Sequence, residues 1–517
     1  MKEKKLSTKR GFFNRMLDMV EKIGNKLPHP VTLFILFSLV VIIVSAIAEA
    51  ANLSVVYDKF ENGELVPVTV EAVSLLNAEG LRKILTNAVS NFTSFAPLGT
   101  VLVAMLGVGV AEGTGLIQAA LRKLVLSTPK KLITAVVVFA GVMSNIASDA
   151  GYVVLVPLGA MIFYSFGRHP IAGLAAAFAG VSGGFSANLL VGPTDALLSG
   201  ITEPAAQMID SAYSVPATSN FYFLFVSTIL ITVLGTFVTE KIVEPRLGEF
   251  KGKSDERIEA MTREENKGLI WAGLSLLAYV VILLLLTVPS NGILRNQETL
   301  SLLDKSAFIG GIVPLIALLF LIPGIAYGVA SKSVKSDKDL VNAASKAMSS
   351  MGSYLVLAFV AAQFVTFFTW TNLGTILAVK GAQVLKAANM TGIPLILGFI
   401  IVTAFINLFI GSASAKWAIM APIFVPMLMQ IGFSPEFTQV AYRIGDSTTN
   451  IISPLMSYFA IVIAFANKYD EDLGIGTLVS TMLPFSMTFL VGWSILLMAW
   501  MLLGFPIGPG AFINLPM

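Results

Sequence analysis

Five stretches of this chain, 31–50, 219–239, 268–288, 307–326 and 480–503, hold one charged residue between them, Glu49. Each is about 20 residues long, the length a helix needs to cross the hydrocarbon of a bilayer. Longer apolar stretches with glycine or polar breaks lie at 97–120, 171–205, 351–378 and 436–467. Charged residues make up 13% of the chain, about half of what a water-facing surface requires. The pattern predicts an all-α polytopic membrane protein with nine crossings, and it excludes a soluble multidomain, disordered or fibrous chain.

Two further apolar stretches, 132–165 and 394–430, are too long for one crossing and are split by SNIASDAG at 144–151 and GSASAK at 411–416. Each is expected to be a re-entrant hairpin, since irregular backbone at that depth is tolerated only against protein or a water-filled cavity. The segments 1–30, 121–131, 166–170, 240–267 and 327–350 are richer in Lys and Arg than 51–96, 206–218, 289–306 and 379–393. That bias predicts a cytoplasmic N-terminus, a first hairpin entering from the cytoplasm and a second entering from outside. Residues 1–30 are basic, with Phe12, Phe13, Met16, Leu17, Met19 and Val20 at helix-like spacing. They are expected to form a surface helix; a basic tail obeying the same charge rule is the alternative.

The chain carries an internal echo. Asn145 and Asn188 are 43 residues apart, as are Asn407 and Asn450, and the flanks agree. Ser148, Tyr152 and Pro157 match Ser412, Trp417 and Pro422; Ser186 and Pro193 match Thr448 and Pro454. The expected organisation is a first repeat over 31–240 with hairpin 132–165, a loop and connector span over 241–306, and a second repeat over 307–517 with hairpin 394–430. The connector inverts the second repeat relative to the first. Paired broken helices in inverted repeats are a signature of secondary transporters, with the substrate site near the midplane.

Ionisable side chains at membrane depth are costly and so are functional candidates. Here they are Glu112, Asp149, Asp195, Lys416, Arg443 and Asp446. Each has a plainer reading. Arg443 and Asp446 are three apart and could pair on one helix turn. Asp149 and Lys416 could be solvated at the hairpin tips. Asp195 could cap the half-helix after its Gly-Pro-Thr break, and Glu112 could be interfacial or packing. The oxygens around Asn145, Asn188, Asn407 and Asn450 suit a monovalent cation such as sodium, while half-helix N-termini suit a carboxylate. Asp195 or Asp446 could bind a coupling proton instead. Trp417 could stack on an aromatic ligand or be a buried packing residue, and Arg443 could grip a ligand carboxylate with two prongs.

The chain has no cysteine, and its only histidines are His29 and His169. Disulfides, thiolate metal sites and cysteine nucleophiles are excluded, and no cofactor or metal is expected. No Walker A, HExxH, GxSxG or Rossmann fingerprint occurs in a suitable context, and nothing marks a nucleic-acid partner. A membrane enzyme would lack a nucleophile–base pair, and a channel would lack a pore-lining ring of charge.

The stretches SFAPLGTVLVAMLGVGVAEGTGL (94–116), GRHPIAGLAAAFAGVSGGFSANLLVGPTDALLSGIT (167–202), SASAKWAIMAPIFVPM (412–427) and YRIGDSTTNIISPLMSYF (442–459) resemble the AbgT family of aminobenzoyl-glutamate transporters. NKLPHPVTLF (25–34) and SDAGYVVLVPLGA (148–160) extend the resemblance nearly end to end. It implies a homodimeric, nine-span, two-hairpin protein of the bacterial inner membrane. It also implies uptake of p-aminobenzoyl-glutamate, or export of sulfonamide antimetabolites driven by the proton-motive force, with sodium as the other coupling ion. The functional positions it implies are Asp195, Ser414, Trp417, Pro435, Arg443, Asp446 and Pro454. A sodium-coupled importer of small dicarboxylate-like solutes is the alternative.

Overall fold

The computed structural model describes residues 28, 30–61, 64–147, 150–250, 260–302, 306–454, 456, 458–471 and 473–515. The amphipathic segment 1–30, apart from residues 28 and 30, lies outside them, as do Ser148 and Asp149 at the first hairpin tip. The described chain is mostly helical. It opens with α1 (Pro30–Ala50), an antiparallel pair β1 (Ser54–Glu61) and β2 (Glu64–Glu71), α2 (Ala78–Thr93), α3 (Ala96–Gly113) and α4 (Leu116–Leu126). The first hairpin is α5 (Ile133–Met143) and α6 (Ala150–Ser165). The first broken helix is α7 (Pro170–Phe178), which runs on as a π turn to Gly183, and then α8 (Pro193–Ala206). Next come α9 (Phe221–Val238), α10 (Arg263–Thr287), α11 (Ile312–Ser331), α12 (Asp337–Ser350), α13 (Gly352–Trp370) and α14 (Leu373–Ala387). The second hairpin is α15 (Gly392–Asn407) and α16 (Ala413–Met429). The second broken helix is α17 (Pro435–Asn450) and α18 (Phe459–Ala466), and α19 (Ile475–Leu503) closes the chain.

Among the described residues, five helices are long and apolar enough to cross a membrane, seven if each of two bent pairs is counted as one span. Their outward faces are apolar: Ile270, Leu277 and Leu285 of α10 are all exposed. In water such a face would not be stable; in lipid it costs nothing. The protein is a multi-pass membrane protein.

Three local expectations are corrected. The fold is not purely all-α, because β1 and β2, in the segment 51–96, pair in register from Ser54–Glu71 to Glu61–Glu64. The sequence carries the signal: β-branched and aromatic residues, Val55, Val56, Tyr57 and Phe60 on one side and Val66, Val68, Thr69 and Val70 on the other, flank an Asn62-Gly63 pair, a strong hairpin-turn dipeptide. The expected span 97–120 is bent by 65° between α3 and α4. Gly115 at the bend has φ +89°, a conformation that glycine adopts without steric cost. The stretch 351–378 is two helices, interrupted where Asn372 takes φ +59°. The second of them, α14, continues to Ala387 through the polar residues expected to form a loop.

Packing divides the helices into two groups. One large core gathers α1, both hairpins, both broken helices, α9, α13 and α19, while Ala119, Ala272 and Tyr327 form a small separate cluster under α4, α10 and α11. Close helix approach needs small residues, because lipid supplies no hydrophobic drive between helices. A Cβ on Gly180 would sit 2.3 Å from the Val138 carbonyl oxygen of α5, and one on Gly445 would sit 2.6 Å from that of Ile400 on α15. These glycines let each hairpin press on its broken helix. Gly180→Leu is expected to force backbone apart and destabilise the fold by at least about 1–3 kcal/mol. An unchanged thermal midpoint of the purified variant would show that the contact is dispensable.

Candidate functional site

The two broken helices meet where their breaks lie. In the first, the π turn Ala179–Gly183 gives way to non-helical backbone and Pro193 restarts the helix. Proline lacks the N–H that a first helical turn leaves unsatisfied anyway. In the second, α17 ends at Asn450 and Ser453-Pro454 follows. Contact between the breaks is direct, since Ser182 Oγ donates to Met456 Sδ at 3.2 Å.

Asp195 sits at the start of α8. Its Oδ2 accepts the Gly192 N–H at 2.7 Å, so the expected capping role is present. A carboxylate is also favoured at a helix N-terminus by the aligned backbone dipoles. Its Oδ1 lies 2.7 Å from Arg443 Nη2 of α17. Arg443 therefore pairs across the two broken helices and not with Asp446 on its own helix. Both side chains are buried, at 5% and 2% exposure. Arg443 spends one nitrogen on this pair; its Nε and Nη1 are buried without a hydrogen-bond partner. Leaving such donors unmade costs about 1–3 kcal/mol or more. A ligand carboxylate could take either of them.

One turn further along α17, Asp446 faces the second hairpin. Its Oδ1 lies 2.5 Å from the Nζ of Lys416 on α16. Lys416 is not solvated at the tip, as one sequence reading had it, but fully buried. Its Nζ also donates to Asn407 Oδ1. The Asn407 amide nitrogen faces the Asp446 carbonyl at 2.7 Å, Thr449 Oγ1 at 2.9 Å and Asn450 Oδ1 at 2.8 Å. Asn407 and Asn450 are thus brought together, but around the chain's own ammonium.

The first half differs. Asn145 donates to the carbonyls of Val142 at 3.0 Å and Gly184 at 3.2 Å. Its Oδ1 is buried and unpartnered, as is Ser186 Oγ. Asn188 turns back on its own loop and accepts from the Leu190 N–H at 3.2 Å. A methyl placed on Gly192 would lie 3.9 Å from both Asp195 Oδ2 and Ile146 Cα, so the first hairpin tip borders the Asp195 carboxylate.

Trp417 is fully buried. Its ring stacks on Tyr442 at 4.3 Å between centroids, and its Nε1–H donates to Thr202 Oγ1 at 2.9 Å. Of its two expected roles, packing is the one this conformation displays. Ser414 lies at the hairpin tip with its Oγ 3.3 Å from Ser412 Oγ. Pro435 opens α17 behind the Ser434 cap, which accepts the Phe437 N–H at 3.1 Å. Pro454 follows the α17 end. These three shape the backbone around the ion pairs rather than join them.

Two features escaped the sequence reading. Glu436 is buried at the start of α17 and accepts from the Tyr213 hydroxyl at 2.9 Å; its signal was a carboxylate inside the apolar stretch 436–467. From there a polar chain returns to Trp417, with Asn220 donating to the Glu436 carbonyl, Gln439 to Asn220, and Thr202 to Gln439. The other is a polar cavity of about 390 Å³ that the candidate Glu112 borders with Arg122, Glu264, Glu265 and Tyr327.

The comparisons agree with one another. The model of the AbgT putative transporter family matches residues 15–515. The p-aminobenzoyl-glutamate transport protein of Escherichia coli strain K12 is 40% identical over 501 residues, covering 97% of this chain and 97% of its own length. Among solved structures, the Alcanivorax borkumensis YdaH transporter, described as having an unusual topology, superposes with a TM-score of 0.88 at 48% identity. The match covers 93% of this chain and 100% of that one. MtrF of Neisseria gonorrhoeae, described as illuminating a class of antimetabolite efflux pumps, superposes with a TM-score of 0.89 at 52% identity. That match covers 96% of this chain and 100% of MtrF.

Proposed function

This chain belongs to the AbgT transporter family, and from that we propose that it is a secondary active transporter, not an enzyme, for p-aminobenzoyl-glutamate or sulfonamide-type antimetabolites. It works in the bacterial inner membrane as a homodimer with a cytoplasmic N-terminus, nine spans and two hairpins. The proposed repeats are inverted copies. Supporting them, Asn145 bonds the Gly184 carbonyl and Asn407 bonds the Asp446 carbonyl, each 39 residues downstream.

The observation that carries the reading is the half-spent guanidinium of Arg443 against Asp195, between the two breaks. A ligand carboxylate takes one of the two free donors: Nε–H and Nη1–H point to opposite edges of the planar guanidinium, so each offers one charge-assisted hydrogen bond. Charge then decides the coupling. Arg443 and Asp195 together are neutral, and a second carboxylate beside them leaves one uncompensated negative charge in a site of low polarity, which is costly. One proton on Asp195 restores neutrality. Ligand and proton therefore enter together, which favours the proton-motive force as the driving gradient. A second reading, sodium coupling, is supported by the unpartnered Asn145 Oδ1 and Ser186 Oγ of the first half, oxygens of the kind a hard monovalent cation takes.

The test is titration of the purified protein with p-aminobenzoyl-glutamate in weakly buffered solution with a pH indicator. Saturable binding with uptake of about one proton per ligand is expected, and Asp195→Asn should bind without proton uptake. Saturable binding by the unmodified protein with no proton taken up would turn the coupling to sodium. No saturable binding at all would overturn the substrate.

A further inference from the structure

A lysine ammonium without access to water must be held by something, and what holds Lys416 is informative. Its Nζ meets one carboxylate oxygen of Asp446, one carboxamide oxygen of Asn407, and the Tyr442 ring face with the centroid 5.5 Å away. Oxygens and an aromatic face are the donors that suit a monovalent cation. The site lies in the last turn of α17, where the carbonyl ends of the backbone dipoles also favour positive charge. No substrate group is needed to complete it.

The corresponding place in the first half is built differently. Asn145 stands to the Gly184 carbonyl as Asn407 stands to that of Asp446. With Tyr152 matched to Trp417, Gly151 stands in place of Lys416, and Gly184, 39 residues after Asn145, stands in place of Asp446. Among the described residues the first half has neither cation nor counter-charge at these matched positions, and there the asparagine oxygen is left unpartnered. In the second half that same oxygen accepts from the ammonium.

We infer that Lys416 is a tethered cation: its ammonium closes the second hairpin onto the end of α17, so that this half takes no ion from solution. The comparison of halves rests on the inverted-repeat reading proposed above. Lys416 is a positioning residue; it holds Asp446 and Asn407, and through the neighbouring Trp417 it fixes where the hairpin lies against α17. Dissociable coupling ions are left to the first half and to Asp195.

The experiment removes the tether and offers the cation back. Lys416→Ala leaves a cavity that ethylammonium fits and choline does not. Purified in detergent in choline chloride, Lys416→Ala should melt below the unmodified protein. Ethylammonium at equal ionic strength should raise its midpoint saturably, as a ligand that binds only the folded state does. The unmodified protein should show no such rise. Lys416→Ala combined with Asp446→Asn removes both charges; it should melt above the single variant and ignore ethylammonium. Should Lys416→Ala fold only when extracted with ethylammonium, or only with Asp446→Asn alongside, the inference is upheld. A single variant as stable as the unmodified protein, or one that neither ethylammonium nor Asp446→Asn improves, overturns it. So does an equal ethylammonium response in the unmodified protein. The readout uses no transported solute, so a wrong substrate assignment would leave its outcome unchanged.

Discussion

Arg443→Ala is expected to lower affinity for p-aminobenzoyl-glutamate about 10- to 100-fold. Hydrogen bonds to a charged group contribute roughly 1.5–3 kcal/mol, and each ~1.4 kcal/mol is tenfold. The same substitution strands Asp195, whose Oδ1 faces Arg443 and whose Oδ2 is held by the Gly192 N–H. Removing one partner of a buried pair costs about 3–5 kcal/mol, so the variant should also melt well below the unmodified protein. The two losses separate in a double variant. Asp195→Asn with Arg443→Ala should recover most of the stability, because no charge is left unpaired, and none of the affinity. Arg443→Lys should recover part of each, since an ammonium cannot present the planar fork. Unchanged affinity in folded Arg443→Ala would make the arginine structural, and the carboxylate would then be held by half-helix N-termini.

Trp417→Ala carries the other large effect. The side chain is fully buried, stacked on Tyr442 and bonded to Thr202. Truncating a buried tryptophan costs about 3–5 kcal/mol, and the loss should appear as a lowered midpoint of thermal unfolding. Trp417→Phe keeps a ring against Tyr442 but leaves Thr202 without its donor, at a cost of about 1 kcal/mol for the hydrogen bond plus the smaller volume. If Trp417 only packs, affinity in the folded phenylalanine variant stays near that of the unmodified protein. If it also stacks on the ligand ring in another state of the cycle, affinity for aromatic ligands falls in both variants, and sulfonamides are affected as much as p-aminobenzoyl-glutamate. A phenylalanine variant with the alanine variant's stability loss would contradict the stacking seen here.

The sequence made the membrane helices plain because the bilayer imposes a length and forbids charge, and both are visible residue by residue. The polar interruptions at 144–151 and 411–416 marked the hairpins for the same reason. What it hid depends on long-range placement. The three-residue spacing of Arg443 and Asp446 suggested a pair on one helix turn. Instead Arg443 finds Asp195 from the first broken helix and Asp446 finds Lys416 from the second hairpin. No local rule ranks a distant partner above a near one. Lys416 looked like a solvated tip residue because its burial comes from the hairpin folding back on α17, a tertiary event. The strands β1 and β2 were legible in their β-branched and aromatic residues and in Asn62-Gly63, and were missed because membrane spans dominate the pattern on either side. Glu436 was legible too, as a carboxylate at the start of the apolar stretch 436–467.

Flux into proteoliposomes tests the account most directly, with labelled p-aminobenzoyl-glutamate and with proton and sodium gradients imposed one at a time. The account predicts saturable flux that a proton gradient drives, that collapses with an uncoupler, and that Arg443→Ala abolishes. Flux that never saturates, or saturable flux indifferent to both gradients, would contradict it.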